Sequence, residues 1–207
     1  MLLHRETPCY ERVRLIRVYP GTHFAMSSTE SALGESWQHG VVLLAWDSVR
    51  AGAANPFDGD NVVLHEFAHQ LDQEDGQTDG TPRVGRGMAS TQQAGMYAAW
   101  ARMLSKEYEE FRLAIEEGSR TVMGQYGAEN PAEFFAVATE CFFEKPKQLC
   151  KKHPELYAAL EQFYRQDPAA WAIDSPPGAN QTLEPTAAAA RRQDNSNVEG
   201  GGSRGSA

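Results

Sequence analysis

Two kinds of apolar spacing divide the chain. Residues 12–19, Arg-Val-Arg-Leu-Ile-Arg-Val-Tyr, alternate polar and apolar positions and read as a strand that ends at Pro20-Gly21. Residues 40–46, Gly-Val-Val-Leu-Leu-Ala-Trp, form a short β-rich apolar run between polar flanks and read as a second strand. From there the spacing becomes helical. Turn residues at 55–60 lead into a helix over 61–73, with Asp60 or Asn61 at its N-cap and Asp75-Gly76 closing it. A loop rich in Gly, Thr and Asp fills 75–90, and its glycines (Gly80, Gly85, Gly87) would let it act as a lid. A long helix over 91–117 follows, with Met96, Trp100, Met103, Leu104, Tyr108, Phe111 and Ile115 at helical spacing. Another starts at Asn130-Pro131-Ala132-Glu133, and the last covers 154–165. Few strands followed by many helices predict an α+β domain, mostly helical, with no internal repeat.

The pattern fails after Trp171. Beyond Asp174 there is one Leu, one Val and no aromatic residue, too little apolar surface to offset the entropy of ordering. The expected organisation is one folded domain over 1–172 and a disordered low-complexity tail over 173–207. Composition narrows the class further. A formal charge of −9 argues against direct nucleic-acid binding, which needs a basic face. No run is long and apolar enough to span a bilayer, and the first residues lack the apolar core of a signal peptide. Three cysteines (Cys9, Cys141, Cys150) without Cys-x-x-Cys spacing suit a reducing, cytoplasmic setting rather than a disulfide framework.

The chemistry lies in Val62-Val-Leu-His-Glu-Phe-Ala-His-Gln-Leu-Asp72. His65 and His69 are four apart, so a helix projects both from one face, one turn from each other. Two imidazoles so placed hold a Zn²⁺, with Glu66 beside them to take a proton from water. Random placement of 6 histidines and 19 glutamates would give roughly 0.016 such HExxH matches in this chain. Asp72, three residues beyond His69, lies on the same face and is a candidate to accept the second ring N–H of a liganding histidine. Leu64, Phe67, Ala68 and Leu71 form the side that seats the helix.

A catalytic zinc wants a third protein ligand and an open position. His153 sits at a helix start, where it reads as a cap; His39 reads as rim, and His4 and His23 lie away from the motif. Glu133 is the better candidate, but Asn130 at N-cap, Pro131 at N1 and Glu133 at N3 also spell a capping box. Spacing alone leaves Glu133 as either cap or ligand, with Glu140 as the rival ligand.

The His-Glu-Phe-Ala-His-Gln-Leu-Asp segment, followed by Tyr126, seven residues later Glu133, and then Phe-Phe-Ala, resembles the Mlc titration factor A family of zinc-dependent peptidases. It is also similar to the catalytic domain of anthrax lethal factor. The likeness covers most of residues 12–172, including 40–46, Phe57-Asp58-Gly59 and 162–168. It implies a zincin-like, gluzincin-type metallopeptidase domain with one Zn²⁺ held by His65, His69 and Glu133, Glu66 as base and Tyr126 as hydrogen-bond donor to the oxyanion. Taken alone, Tyr126 is a partly buried loop aromatic. The resemblance also implies a peptide substrate, cleaved internally or trimmed as by an aminopeptidase, and a transcriptional repressor as a possible partner, for which Tyr157 and Tyr164 on the last helix offer a surface or else serve the core. The chain departs from the family pattern by looking short at its N-terminus. It departs from lethal factor at Val137, where that protein has a carboxylate, so support for the ligands falls to Asp72, Glu140 or backbone.

Overall fold

The computed structural model describes residues 10–21, 40–85 and 89–171. The expected tail, Gly87, and His4, Cys9, His23 and His39 lie outside the described residues. Strand β1 (Leu15–Tyr19) pairs in parallel with β2 (Val41–Ala45), in register from Leu15 opposite Val41 to Tyr19 opposite Ala45. Seven helices follow among the described residues: α1 (Trp46–Ala54), α2 (Val62–Asp72), α3 (Ser90–Glu116), α4 (Pro131–Glu144), α5 (Pro146–Lys152), α6 (Pro154–Tyr164) and α7 (Pro168–Trp171). Short 3₁₀ turns occupy Gln73–Asp75 and Gln125–Ala128. The domain is α+β and mostly helical, as the spacing predicted. No helix among the described residues is long and apolar enough to cross a membrane.

The two strands use their apolar residues differently. Val42 and Leu44 of β2 are buried, whereas Leu15, Ile16 and Val18 of β1 are 42%, 48% and 54% exposed. The register starts at Gly40, whose φ of +73° and close approach to Arg12 leave no room for a side chain: a Cβ there would sit 1.8 Å from the Arg12 carbonyl oxygen. That approach lets the Gly40 carbonyl accept from the N–H groups of Arg14 (2.8 Å) and Leu15 (3.3 Å).

Helix α4 is the centre of the core. Its residues 134–142 are all buried, and Phe134, Phe135 and Phe142 are among the largest fully enclosed side chains. Burying a side chain of this size is worth about 2–3 kcal/mol. On one flank, α3 offers Trp100, Leu104 and Phe111 at i, i+4 and i+11, and Trp100 meets Phe135 edge to face. On the other, Leu149 of α5 and Leu156, Leu160, Phe163 and Tyr164 of α6 close over it, with Phe142 stacked on Tyr164.

Some expectations need correction. Trp46 opens helix α1 instead of ending a strand, and α1 itself was not expected. Its sequence, Trp-Asp-Ser-Val-Arg-Ala-Gly-Ala-Ala, has little apolar periodicity, and Gly52 is its one buried residue. Basic α5 is likewise a helix that its polar composition hides. Tyr157 and Tyr164 are 4% and 0% exposed, so they serve the core and offer no partner surface. His153 occupies the N-cap position of α6, but its side chain makes no cap bond. Its Nδ1 instead pairs with Glu107 Oε2 at 2.9 Å, joining α6 to α3.

Candidate metal centre

Helices α2 and α4 pack face to face, and each is started by an asparagine. Asn61 Oδ1 accepts from the N–H groups of Val63 (3.1 Å) and Leu64 (3.2 Å), which fixes where α2 begins and hence the direction of His65. Asn130 Oδ1 accepts from Glu133 N–H at 3.0 Å, while Pro131 supplies a preset φ at N1. The cap at 130 therefore uses the backbone of Glu133 and leaves its carboxylate to point elsewhere. Cap and ligand, the two readings of this position, draw on different atoms.

That carboxylate meets the histidine pair. Glu133 Oε2 lies 2.9 Å from His65 Nε2 and 3.3 Å from His69 Nε2, and the two Nε2 atoms are 3.1 Å apart. His65, His69 and Glu133 form the one cluster among the described residues with the spacing of a metal site. Burial alone would raise the Glu133 pKa, but hydrogen bonds and charge from His65 and His69 pull it well below the usual carboxylate range. With the rings neutral and the carboxylate ionised, two nitrogens and one oxygen offer three lone-pair donors close enough to hold one metal ion.

Glu140 orients this cluster. His65 Nδ1 donates to Glu140 Oε1 at 2.6 Å, which places the ring proton on Nδ1 and turns Nε2 toward His69 and Glu133. Glu140 thus stands behind His65, not beside Glu133 as a ligand. Its second oxygen accepts from Asn61 N–H at 2.5 Å. One turn further along α4, Glu144 accepts from Asn61 Nδ2 (2.8 Å) and Gly59 N–H (3.0 Å). Burial, with Asp58 and Glu140 nearby, lifts Glu144 to about 7 against the bonds from Asn61 and Gly59. Sequence reading did not single out Glu144; the signal for it was the 133/137/140/144 stripe, which repeats at helical spacing on the α4 face toward α2.

Asp72 is fully buried, and its Oδ2 accepts from Gly80 N–H at 3.0 Å. It ties the end of α2 to the following loop. Burial, together with Asp79 and Asp75, raises it to about 7. Gly80 in turn has φ +77° and presses against the carbonyl of Pro131 in the first turn of α4. Tyr126, in the 3₁₀ turn before α4, has its ring 5.9 Å from the His65 ring. Glu66 follows His65 directly on α2 and is half-buried.

A histidine pair spaced four apart on one helix, completed by a glutamate from a second helix within a mostly helical α+β domain, is the layout of a metallopeptidase. The chain belongs to the glucose-regulated metallo-peptidase M90 family, whose model matches residues 1–165. It is 37% identical over 171 residues to an uncharacterized protein of Synechocystis sp., covering 77% of this chain and 60% of that protein. It is also similar to the Mlc titration factor A of Pectobacterium atrosepticum, at 34% identity over 66% of this chain and 49% of the relative. The Mlc titration factor A of Yersinia pestis is 34% identical over 71% and 54%, respectively. The chain thus spans about half to three-fifths of the length of these relatives.

Proposed function

We propose that the protein is a cytoplasmic zinc-dependent peptidase of the gluzincin type, with His65, His69 and Glu133 as ligands of one Zn²⁺. The observation that carries this reading is the convergence of the two Nε2 atoms and the Glu133 oxygen, all within 3.3 Å of one another. When bound there, zinc supplies Lewis-acid polarisation of a carbonyl and acidification of water. The chain's own residues do the rest. Glu66 takes the proton of the attacking water and passes it to the departing amine. Tyr126, beside His65, donates a hydrogen bond to the oxygen on which charge develops, an interaction worth about 3 kcal/mol in comparable sites. Glu140 keeps His65 in the tautomer that presents Nε2. An extended peptide lies along the edge of β2 that is unpaired among the described residues, by strand addition.

The test is Glu66→Gln. This variant should hold zinc as the wild type does, while turnover of a peptide library falls by about three orders of magnitude or more. Cleavage at the wild-type rate would remove Glu66 from the role of base.

A second reading draws on the name of the relatives, Mlc titration factor A: a regulatory protein that binds a transcriptional repressor, with the metal site secondary. The same variant separates the two readings. Repressor binding that survives Glu66→Gln while hydrolysis disappears would make the binding role independent of catalysis.

A further inference from the structure

Asn61 spends every polar group it has within the α2–α4 interface. Its Oδ1 caps α2, its carbonyl accepts from His65 N–H (2.9 Å), its backbone N–H goes to Glu140 Oε2 and its Nδ2 goes to Glu144 Oε1. The residue that positions the first turn of the histidine helix is thus the same residue that holds both carboxylates behind that helix. Helix capping alone does not require this. Aspartate caps as well as asparagine, but it has no donor for Glu144, and serine has one polar group where two are used. Glu144, 7% exposed, is equally committed: its other oxygen accepts from Gly59 N–H, in the turn that leads into Asn61. Gly59 has φ +71°, and a Cβ there would come within 3.1–3.3 Å of Cys141 on α4 and of Lys145 at its C-cap, so this turn is pressed onto the end of the helix.

We propose that Asn61 and Glu144 are a positioning pair for the metal centre. The Asn61 Nδ2 to Glu144 bond fixes residues 59–61 against α4, and that placement aims the Asn61 N–H at one Glu140 oxygen while the other takes the His65 Nδ1 proton. The pair touches neither substrate nor ligand atoms; it sets the direction of His65 through Glu140. This inference rests on reading His65, His69 and Glu133 as a zinc centre.

The experiment measures the zinc dissociation constant by competition with a chromophoric chelator, alongside the unfolding midpoint of the metal-free protein. Four full-length proteins are compared: wild type, Asn61→Asp, Glu144→Gln and the double variant. Asn61→Asp keeps the cap oxygen but sets a second carboxylate against Glu144, and zinc should bind about 10- to 100-fold more weakly. In the double variant the amide and the carboxylate change places. The amide now on α4 donates to the carboxylate now at the α2 cap, and its carbonyl still accepts from Gly59, so affinity should return to within about threefold of wild type. Zinc affinity unchanged in Asn61→Asp overturns the proposal, even if the midpoint drops, because the pair would then be only a structural clamp. A double variant as weak as Asn61→Asp also overturns it. Should Asn61→Asp not fold, Glu144→Gln alone decides, since it leaves the cap untouched: weaker zinc binding supports the pair and wild-type affinity refutes it. A wild type that takes up no zinc at all brings down the metal-centre reading itself, whereas a zinc-binding wild type with indifferent variants brings down only the pair.

Discussion

Two asparagines begin the two helices of the site, and they are put to different use. Asn130 is exposed and lends one oxygen to one N–H in its own first turn. Asn61 likewise caps α2, through two N–H groups, but its backbone N–H and its Nδ2 are bound to Glu140 and Glu144 on the facing helix. The contrast separates a cap that stabilises its own helix from a cap that also registers one helix against another. Only the second kind carries a local sequence choice to the geometry of a site more than a turn away.

The sharpest break in this comparison is Glu133→Ala. The Asn130 cap survives because it binds the backbone N–H, yet the carboxylate proposed as the third ligand is gone. Elemental analysis after dialysis should find close to one zinc per wild-type chain and a small fraction of that in the variant. Equal zinc in both would reduce Glu133 to a first-turn residue and move the ligand elsewhere. Next in size is Gly80→Ala, which attacks the start of α4 from outside. A Cβ at Gly80 would sit 2.3 Å from the Pro131 carbonyl oxygen on a backbone with φ +77°, so urea denaturation should show a loss of about 3 kcal/mol. A midpoint equal to wild type would mean that the loop is not pinned against α4.

A smaller effect separates the two ends of α2. Asp72 rises from its ordinary value of 3.8 to about 7, through burial first and then the charges of Asp79 and Asp75. The folded state therefore holds this proton more tightly than the unfolded chain does. Asp72 favours folding below about pH 4, and that contribution is lost as pH climbs through about 7. Measured on metal-free protein, Asp72→Asn should gain on wild type between pH 4 and 8, by on the order of 2 kcal/mol. A difference that stays flat with pH would place the charge of Asp72 in a better-solvated setting than its burial implies. The smallest effect is Asn130→Ala: about 1 kcal/mol of stability by denaturant titration, with zinc affinity unchanged. If zinc affinity fell with it, the distinction between the two caps would collapse.

Much of this is legible in the amino-acid chain alone. His65 and His69 fall on one face because helical geometry fixes the i, i+4 relation, and capping residues announce both helices, Asn130 outright and Asn61 as one of two candidates with Asp60 until the structure assigns the cap to Asn61. What the chain hides has physical reasons. Helix α1 is held by its packing beside α2 and β2, not by an amphipathic stripe of its own, so periodicity could not find it. Glu133 reads as cap or ligand on spacing because one residue offers an N–H and a carboxylate to two different partners. Asp72 and Glu140 lie on the correct faces for supporting a histidine, but only the packing of α4 on α2 assigns the His65 ring proton to Glu140 and leaves Asp72 to the Gly80 loop. Asn61 and Glu144 are 83 residues apart, a distance over which no local pattern carries information.

Helix α4 joins two duties that proteins often keep apart, since its buried residues 134–142 are the heart of the core while Glu133 and Glu140 on the same helix address the histidines. A segment so enclosed is expected to have no cheap opening of its own, so that hydrogen exchange should find its amides among the most protected in the fold. The carboxylate wall of the centre is therefore as long-lived as the folded state.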